Sequence, residues 1–113
     1  MHEVGMMQHL LEMAVERAKR EGAQQIDRVH LRVGAEAGVA PESLSFAFEI
    51  AKKGTIAEAA QLEVEDVLVL CYCASCDMEF HPVDSLCECP ECHQLYCDVR
   101  QGKEFELAFL EVS

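Results

Sequence analysis

The chain has 113 residues, half of them hydrophobic and 27% charged, which is the balance of one compact soluble domain and too little chain for two full-sized ones. Nine Lys and Arg against 21 Asp and Glu leave a net charge of -12, a surface that repels phosphate backbones and anionic lipid heads, so neither nucleic acid nor membrane is an expected partner. Six of the seven cysteines fall between Cys71 and Cys92, which reads as metal ligation in a reducing, cytoplasmic compartment rather than as a secreted disulfide framework.

In residues 5–21, Met7, Leu10, Leu11, Ala14, Val15 and Ala18 recur at three- and four-residue steps, and Gly22 stands where a helix would stop. Val29, Leu31 and Val33 then alternate with Arg28, His30 and Arg32, which predicts a strand with one buried face, ended by Gly34. Pro41 suits a first helical position, and Leu44, Ala47, Phe48 and Ala51 form a stripe that predicts a second helix up to Gly54. Thr55 and Glu58 resemble a capping box for a short extra turn. Leu62 and Val64 alternate with Glu63 and Glu65 and run into the apolar residues 67–70, giving two strands or one bent strand. That run is far short of the roughly 20 residues of a membrane span, and the N-terminus lacks the basic and apolar regions of a secretion signal. After Gly102, residues 104–112 are again strand-like, with Phe105, Leu107 and Phe109.

A strand, a crossover helix and a second strand favour a right-handed βαβ unit. The expected fold class is α+β, a small mixed three-stranded sheet with two helices, plus an inserted four-cysteine zinc-ribbon-like module. The expected division is an α/β domain of residues 1–70 and 101–113 and a cysteine-rich module of residues 71–100.

Cys73-Ala-Ser-Cys76 and Cys89-Pro-Glu-Cys92 are two CxxC knuckles separated by twelve residues. Each such turn presents two thiolates on one side of a tight loop, and two facing turns supply the four sulfurs of a tetrahedral zinc site. With all four positions filled by protein, the site is structural rather than catalytic, because no open position remains for water or substrate. Two alternatives stand beside zinc: a rubredoxin-like iron site on the same four cysteines, and cysteines that merely pack or form disulfides. Cys71, Cys87 and Cys97 are left over and read as bystanders, or as thiols that exchange with the ligands or bind a second soft ion. His81 and His93 read as solvated loop histidines.

A histidine at position two usually belongs to a frayed, solvated end. It also has a specific chemistry, because the terminal amine of Met1 and the amide and imidazole of His2 close adjacent chelate rings around one ion. The amide of Glu3, or an oxygen, completes a square-planar set that favours Ni(II) or Cu(II). The amides must lose protons, so such binding weakens as pH falls.

Met1-His2-Glu3 ahead of a helix, Val29-His30-Leu31-Arg32-Val33-Gly34, Pro41-Glu42-Ser43-Leu44-Ser45-Phe46-Ala47-Phe48, Gly54-Thr55 and the doubled CxxC together resemble the HypA/HybF family of hydrogenase nickel-incorporation proteins. The resemblance covers essentially the whole chain. It implies a nickel metallochaperone that carries Ni(II) to the large subunit of [NiFe]-hydrogenase, working with the GTPase HypB, with urease maturation proteins as a second outlet in some organisms. By position it makes His2 the essential nickel ligand, with the Met1 amine and Glu3 beside it, and gives zinc to Cys73, Cys76, Cys89 and Cys92. Cys71, Cys87 and Cys97 fall outside that pattern.

Competing classes are a zinc-ribbon interaction module without nickel transfer and a rubredoxin-like iron redox protein. Against nucleic acid, residues from Cys71 onward carry nine acids and only Arg100 and Lys103 as bases. An enzyme is not expected: no Ser/His/Asp order, phosphate-binding glycine loop or HExxH pattern occurs. The expected oligomeric state is a monomer or a weak homodimer.

Overall fold

The computed structural model describes residues 2–113, residue 2 through its backbone alone. The chain divides into two compact units, one of Met1–Arg32, Val39–Glu65 and Glu106–Ser113, the other of Val33–Gly38 and Asp66–Phe105.

In the first unit, helix α1 (His2–Arg20) buries Met7, Leu10, Leu11, Ala14 and Ala18, the stripe that the periodicity places on one face. The helix starts earlier than Gly5, because a single glycine costs a helix only about 1 kcal/mol and Glu3 places an acid in the first turn. Its end is set by Gly22 at φ +82, where the Ala23 amide donates to the Ala18 carbonyl (3.0 Å) and the Gly22 amide to that of Lys19 (3.0 Å). These two bonds satisfy carbonyls that the last turn leaves without partners. Helix α2 (Pro41–Ala51) has Pro at its start after the extended Ala40, buries Leu44, Ala47 and Phe48, and packs on α1. Beyond it, the Thr55 hydroxyl accepts from the Ala57 amide (3.0 Å), while Glu58 accepts from the amide of Gly54 (3.1 Å). The expected capping box is thus displaced by one residue and closes turns rather than a helix.

Strand β1 (Ile26–Gly34) is central to a sheet of order β2-β1-β6, with β2 (Gln61–Val67) and β6 (Phe105–Val112) at its edges. Ion pairs Arg28–Glu63 (3.3 Å) and Arg32–Glu65 (3.8 Å) advance together along β1 and β2, so these strands run parallel, joined through α2 as the strand–helix–strand pattern predicts. His30–Glu111 (2.6 Å) and Arg32–Glu106 (3.9 Å) advance in opposite directions, so β6 is antiparallel and the sheet is mixed. Ile26, Val29 and Leu31 are buried, whereas Arg28, His30 and Arg32 carry the ion pairs, and the His30 ring stacks on Phe109 (3.9 Å). The alternation places Leu62 and Val64 on a buried face, but β2 is an edge strand whose apolar side is only partly covered, and Val64 is 40% exposed.

In the second unit, β3 (Leu70–Cys73) is a strand separate from β2 and pairs antiparallel with β4 (Met78–Phe80) and β5 (Asp98–Gln101). Its core is made largely of sulfur: Cys71, Cys73, Cys87, Cys89 and Cys97 are buried with Phe80, against Val69, Cys76 and Met78. So few large apolar groups cannot by themselves offset the conformational entropy of some forty residues, which is why cross-links decide whether this unit folds. Among the described residues, no helix is long and apolar enough to cross a membrane.

Candidate metal centre

The first knuckle is the turn between β3 and β4, so the Cys73↔Met78 pairing fixes where Cys73 points. The second is held by a tight loop in which the Cys89 amide donates to the Gln94 carbonyl and the His93 amide to that of Cys89, each at 2.9 Å. In both knuckles the residue after the second cysteine has a left-handed backbone, Asp77 at φ 50 and His93 at φ 64. Asp and His are among the non-glycine residues that tolerate this conformation best, and it turns the chain away once its two sulfurs have been presented. Ser75 of the first knuckle donates to the Gln94 Oε1 behind the second (3.1 Å), tying the two together.

The outcome is a cluster of Cys73, Cys76, Cys89 and Cys92 whose sulfurs all lie within 4.8 Å of one another. Cys73 and Cys92 are 3.6 Å apart across the knuckles, and Cys76 and Cys89 are 3.9 Å apart. A tetrahedron with metal–sulfur bonds of about 2.3 Å has edges of about 3.8 Å, so the spacing fits a thiolate-bound ion of zinc type. Cys73 and Cys89 are fully buried, Cys76 is half-buried and Cys92 is exposed, so each knuckle supplies one inner and one outer sulfur. Among the described residues, this is the one group of three or more potential ligands placed to hold a metal ion.

Cys73 and Cys76 titrate far apart. The Cys76 backbone amide donates to Cys73 and lowers it to about 7, helped by the neighbouring thiols of Cys92 and Cys89. Cys76 is pushed up to about 12 by its hydrogen bond to Cys92, by burial and by Cys89. Without a bound ion, Cys73 is thus a more available thiolate near neutrality than Cys76, which gives up its proton as a metal enters. Since the thiolate is the ligand, lowering the pH protonates the set and weakens binding. Metal retention against a competing chelator should therefore fall by about tenfold per pH unit for each proton displaced as pH drops from about 8 to about 6.

The leftover residues take separate places. Cys71 and Cys87, which the sequence leaves as bystanders, are joined as a disulfide with Cα atoms 6.3 Å apart. Neither is free to act as a spare ligand while that bond stands. Cys97 is buried and its thiol donates to the Gln94 carbonyl (3.4 Å). His81 bonds the Val69 carbonyl (2.8 Å) and exposed His93 bonds Glu88 (2.8 Å), both outside the four-sulfur group. Glu3 lies in the first turn of α1. Met1 and the imidazole of His2, expected as nickel ligands, lie outside the described residues.

A small α+β protein carrying a four-thiol cluster spaced to fit a metal ion is the class that this fold and centre define. Residues 1–112 match the family model HypA, described as hydrogenase/urease nickel incorporation, metallochaperone. The chain is 49% identical over 112 residues to a hydrogenase maturation factor HypA of Picosynechococcus sp., covering 99% of both chains. It is 37% identical to the hydrogenase maturation factor HypA of Chlorobium limicola, covering 99% of this chain and 97% of that one. The solution structure of the Ni metallochaperone HypA from Helicobacter pylori superposes with a TM-score of 0.72 at 27% identity, over 97% of this chain and 96% of that one. A further solution structure of a HypA protein gives 0.78 at 28% identity, over 100% of this chain and 97% of the other. The chain belongs to the HypA family of nickel-incorporation metallochaperones.

Proposed function

We propose that this protein binds Ni(II) at its N-terminus, through the Met1 amine, the His2 amide and imidazole and the Glu3 amide, and hands it to the large subunit of [NiFe]-hydrogenase. The observation that carries this reading is the family match, which takes in Met1-His2-Glu3. Helix geometry supports it: α1 starts at His2, and the first four amides of a helix have no acceptor within it. The His2 and Glu3 amides can therefore lose protons without breaking the helix, and its positive end favours the resulting anionic nitrogens. Nickel is cargo here. A terminal site leaves it open to ligand exchange, one bond replaced at a time.

Zinc is the resident ion, held by Cys73, Cys76, Cys89 and Cys92, and its contribution when bound is a cross-link between the knuckles. A thiolate tetrahedron also suits iron, but nickel delivery calls for no electron transfer, and a red colour on purification would mark iron. The protein works in the cytoplasm as a monomer or weak homodimer and is not itself an enzyme. Its partners are the GTPase HypB and the hydrogenase large subunit, with urease maturation proteins as a second outlet.

Nickel titration of untagged, zinc-loaded protein should show one equivalent bound with a square-planar visible band. His2→Ala should lose that band and the binding while zinc content and helicity stay unchanged. Uptake of one nickel by His2→Ala with unaltered affinity would overturn the assignment.

A further inference from the structure

Cys71 precedes Cys73 by two residues on β3, and Cys87 precedes Cys89 by two residues on the facing segment. Side chains two apart on a strand share a face, about 7 Å along the chain. This puts Cys71 and Cys73 on one face of β3, and residues 87–89, a segment outside the strands with Cys87 left-handed at φ 49, meet that face through two rungs, the Cys71–Cys87 disulfide and the Cys73 and Cys89 sulfurs within 4.8 Å of each other. The Cys97 amide donates to the Cys87 carbonyl (3.2 Å) and the Tyr96 amide to that of Leu86 (2.7 Å), so residues 94–97 are laid against the segment that carries both rungs.

We propose that Cys71 and Cys87 form a second, redox-dependent staple that keeps the four-thiol site assembled and sets how tightly it retains its metal. This rests on the reading that the four-thiol cluster holds a metal ion. The disulfide spans 16 residues of sequence and brings the two knuckle-bearing segments together before any metal arrives. Without it, the ion must close that loop as well as bind. Loop closure of this length corresponds to a loss on the order of 100-fold in retention when the disulfide is opened.

Opening takes two electrons. A small-molecule thiol attacks one sulfur and a second thiol resolves the mixed disulfide, giving Cys71–SH, Cys87–SH and one small-molecule disulfide; the reverse reaction uses that disulfide as oxidant. Cys71 is 0% and Cys87 6% exposed, so a thiol reaches them only when the module opens. The coupling is therefore reciprocal: bound metal shields the disulfide, and the disulfide strengthens metal retention.

The test compares the whole protein in two forms, air-oxidised and phosphine-reduced with the phosphine removed, by chelator competition for zinc and by alkylation with peptide mass mapping. The expected result is zinc held roughly 100-fold more tightly in the oxidised form. Mapping should find Cys71 and Cys87 linked, and the Cys71→Ser, Cys87→Ser double variant should behave like the reduced form with or without oxidant. Equal retention in the two wild-type forms, or a disulfide mapped onto the four clustered cysteines instead, overturns the proposal. If neither form binds zinc, the metal reading fails and limited proteolysis of the metal-free protein decides on the staple. Cleavage within residues 74–86 that appears only after reduction supports it, and equal cleavage in both forms overturns it.

Discussion

With Cys71 and Cys87 held reduced, Cys89→Ser is expected to melt residues 66–105 while α1 and α2 stay folded. Structural zinc in small modules is associated with about 10 kcal/mol or more of folding free energy, and this unit has little else. Its buried core is five cysteines and Phe80, and Cys89 is fully buried within it. Serine cannot supply a thiolate there and also leaves a hydroxyl in a site lined by sulfur, so both the cross-link and the packing suffer. Helix α1, by contrast, rests on Met7, Leu10, Leu11 and Ala14, none of which belongs to the sulfur core. The expected observation is stoichiometric zinc in the native protein, none in Cys89→Ser, and loss of dispersed amide signals from residues 66–105 with far-ultraviolet helicity retained. Cys92→Ser should be milder, because that sulfur is exposed and water can take its place. A Cys89→Ser protein that kept its zinc and its amide dispersion would show that the cluster is not the staple of this unit.

Gly34→Ala is the second large effect. A Cβ at Gly34 would lie 2.1 Å from both the carbonyl carbon and oxygen of Gly102 and 2.6 Å from the Lys103 nitrogen. These are backbone atoms, and they are tied in place: the Gly34 amide donates to the Glu104 carbonyl (2.7 Å) and the Glu36 amide to that of Gly102 (2.7 Å). Relief requires two hydrogen-bonded turns to part, so the cost should reach the upper end of overpacking penalties, about 3 kcal/mol or more. Gly5→Ala is the internal control. An added Cβ there meets nothing within 4 Å in the middle of a helical turn, so stability should rise by roughly 0.5–1 kcal/mol. Denaturant unfolding of the two variants checks both signs, and a Gly34→Ala protein as stable as the native one would mean that the two turns do not touch.

The parts of the molecule that are legible without coordinates share a property. The stripe Met7, Leu10, Leu11, Ala14 and the alternation Val29, Leu31, Val33 are local periodicities, and each element buries the side that its period marks. The knuckles are legible for a related reason: the spacing within CxxC already forces two sulfurs to one side of a turn. Strands β4 and β5 are not, since three and four residues such as Met-Glu-Phe and Asp-Val-Arg-Gln have no period of their own and pair only because β3 lies between them. The left-handed residues Asp77 and His93 are hidden as well, because neither is a glycine.

Spacing along the chain is thus enough for the two helices, the central strand, the four clustered cysteines and the family. The meeting of Cys71 with Cys87 needs the folded chain. So do the stacking of His30 on Phe109 and the approach of Gly34 to Gly102. The physical reason is the same in all three: these contacts join residues apart in sequence, and their geometry exists only once the chain has folded.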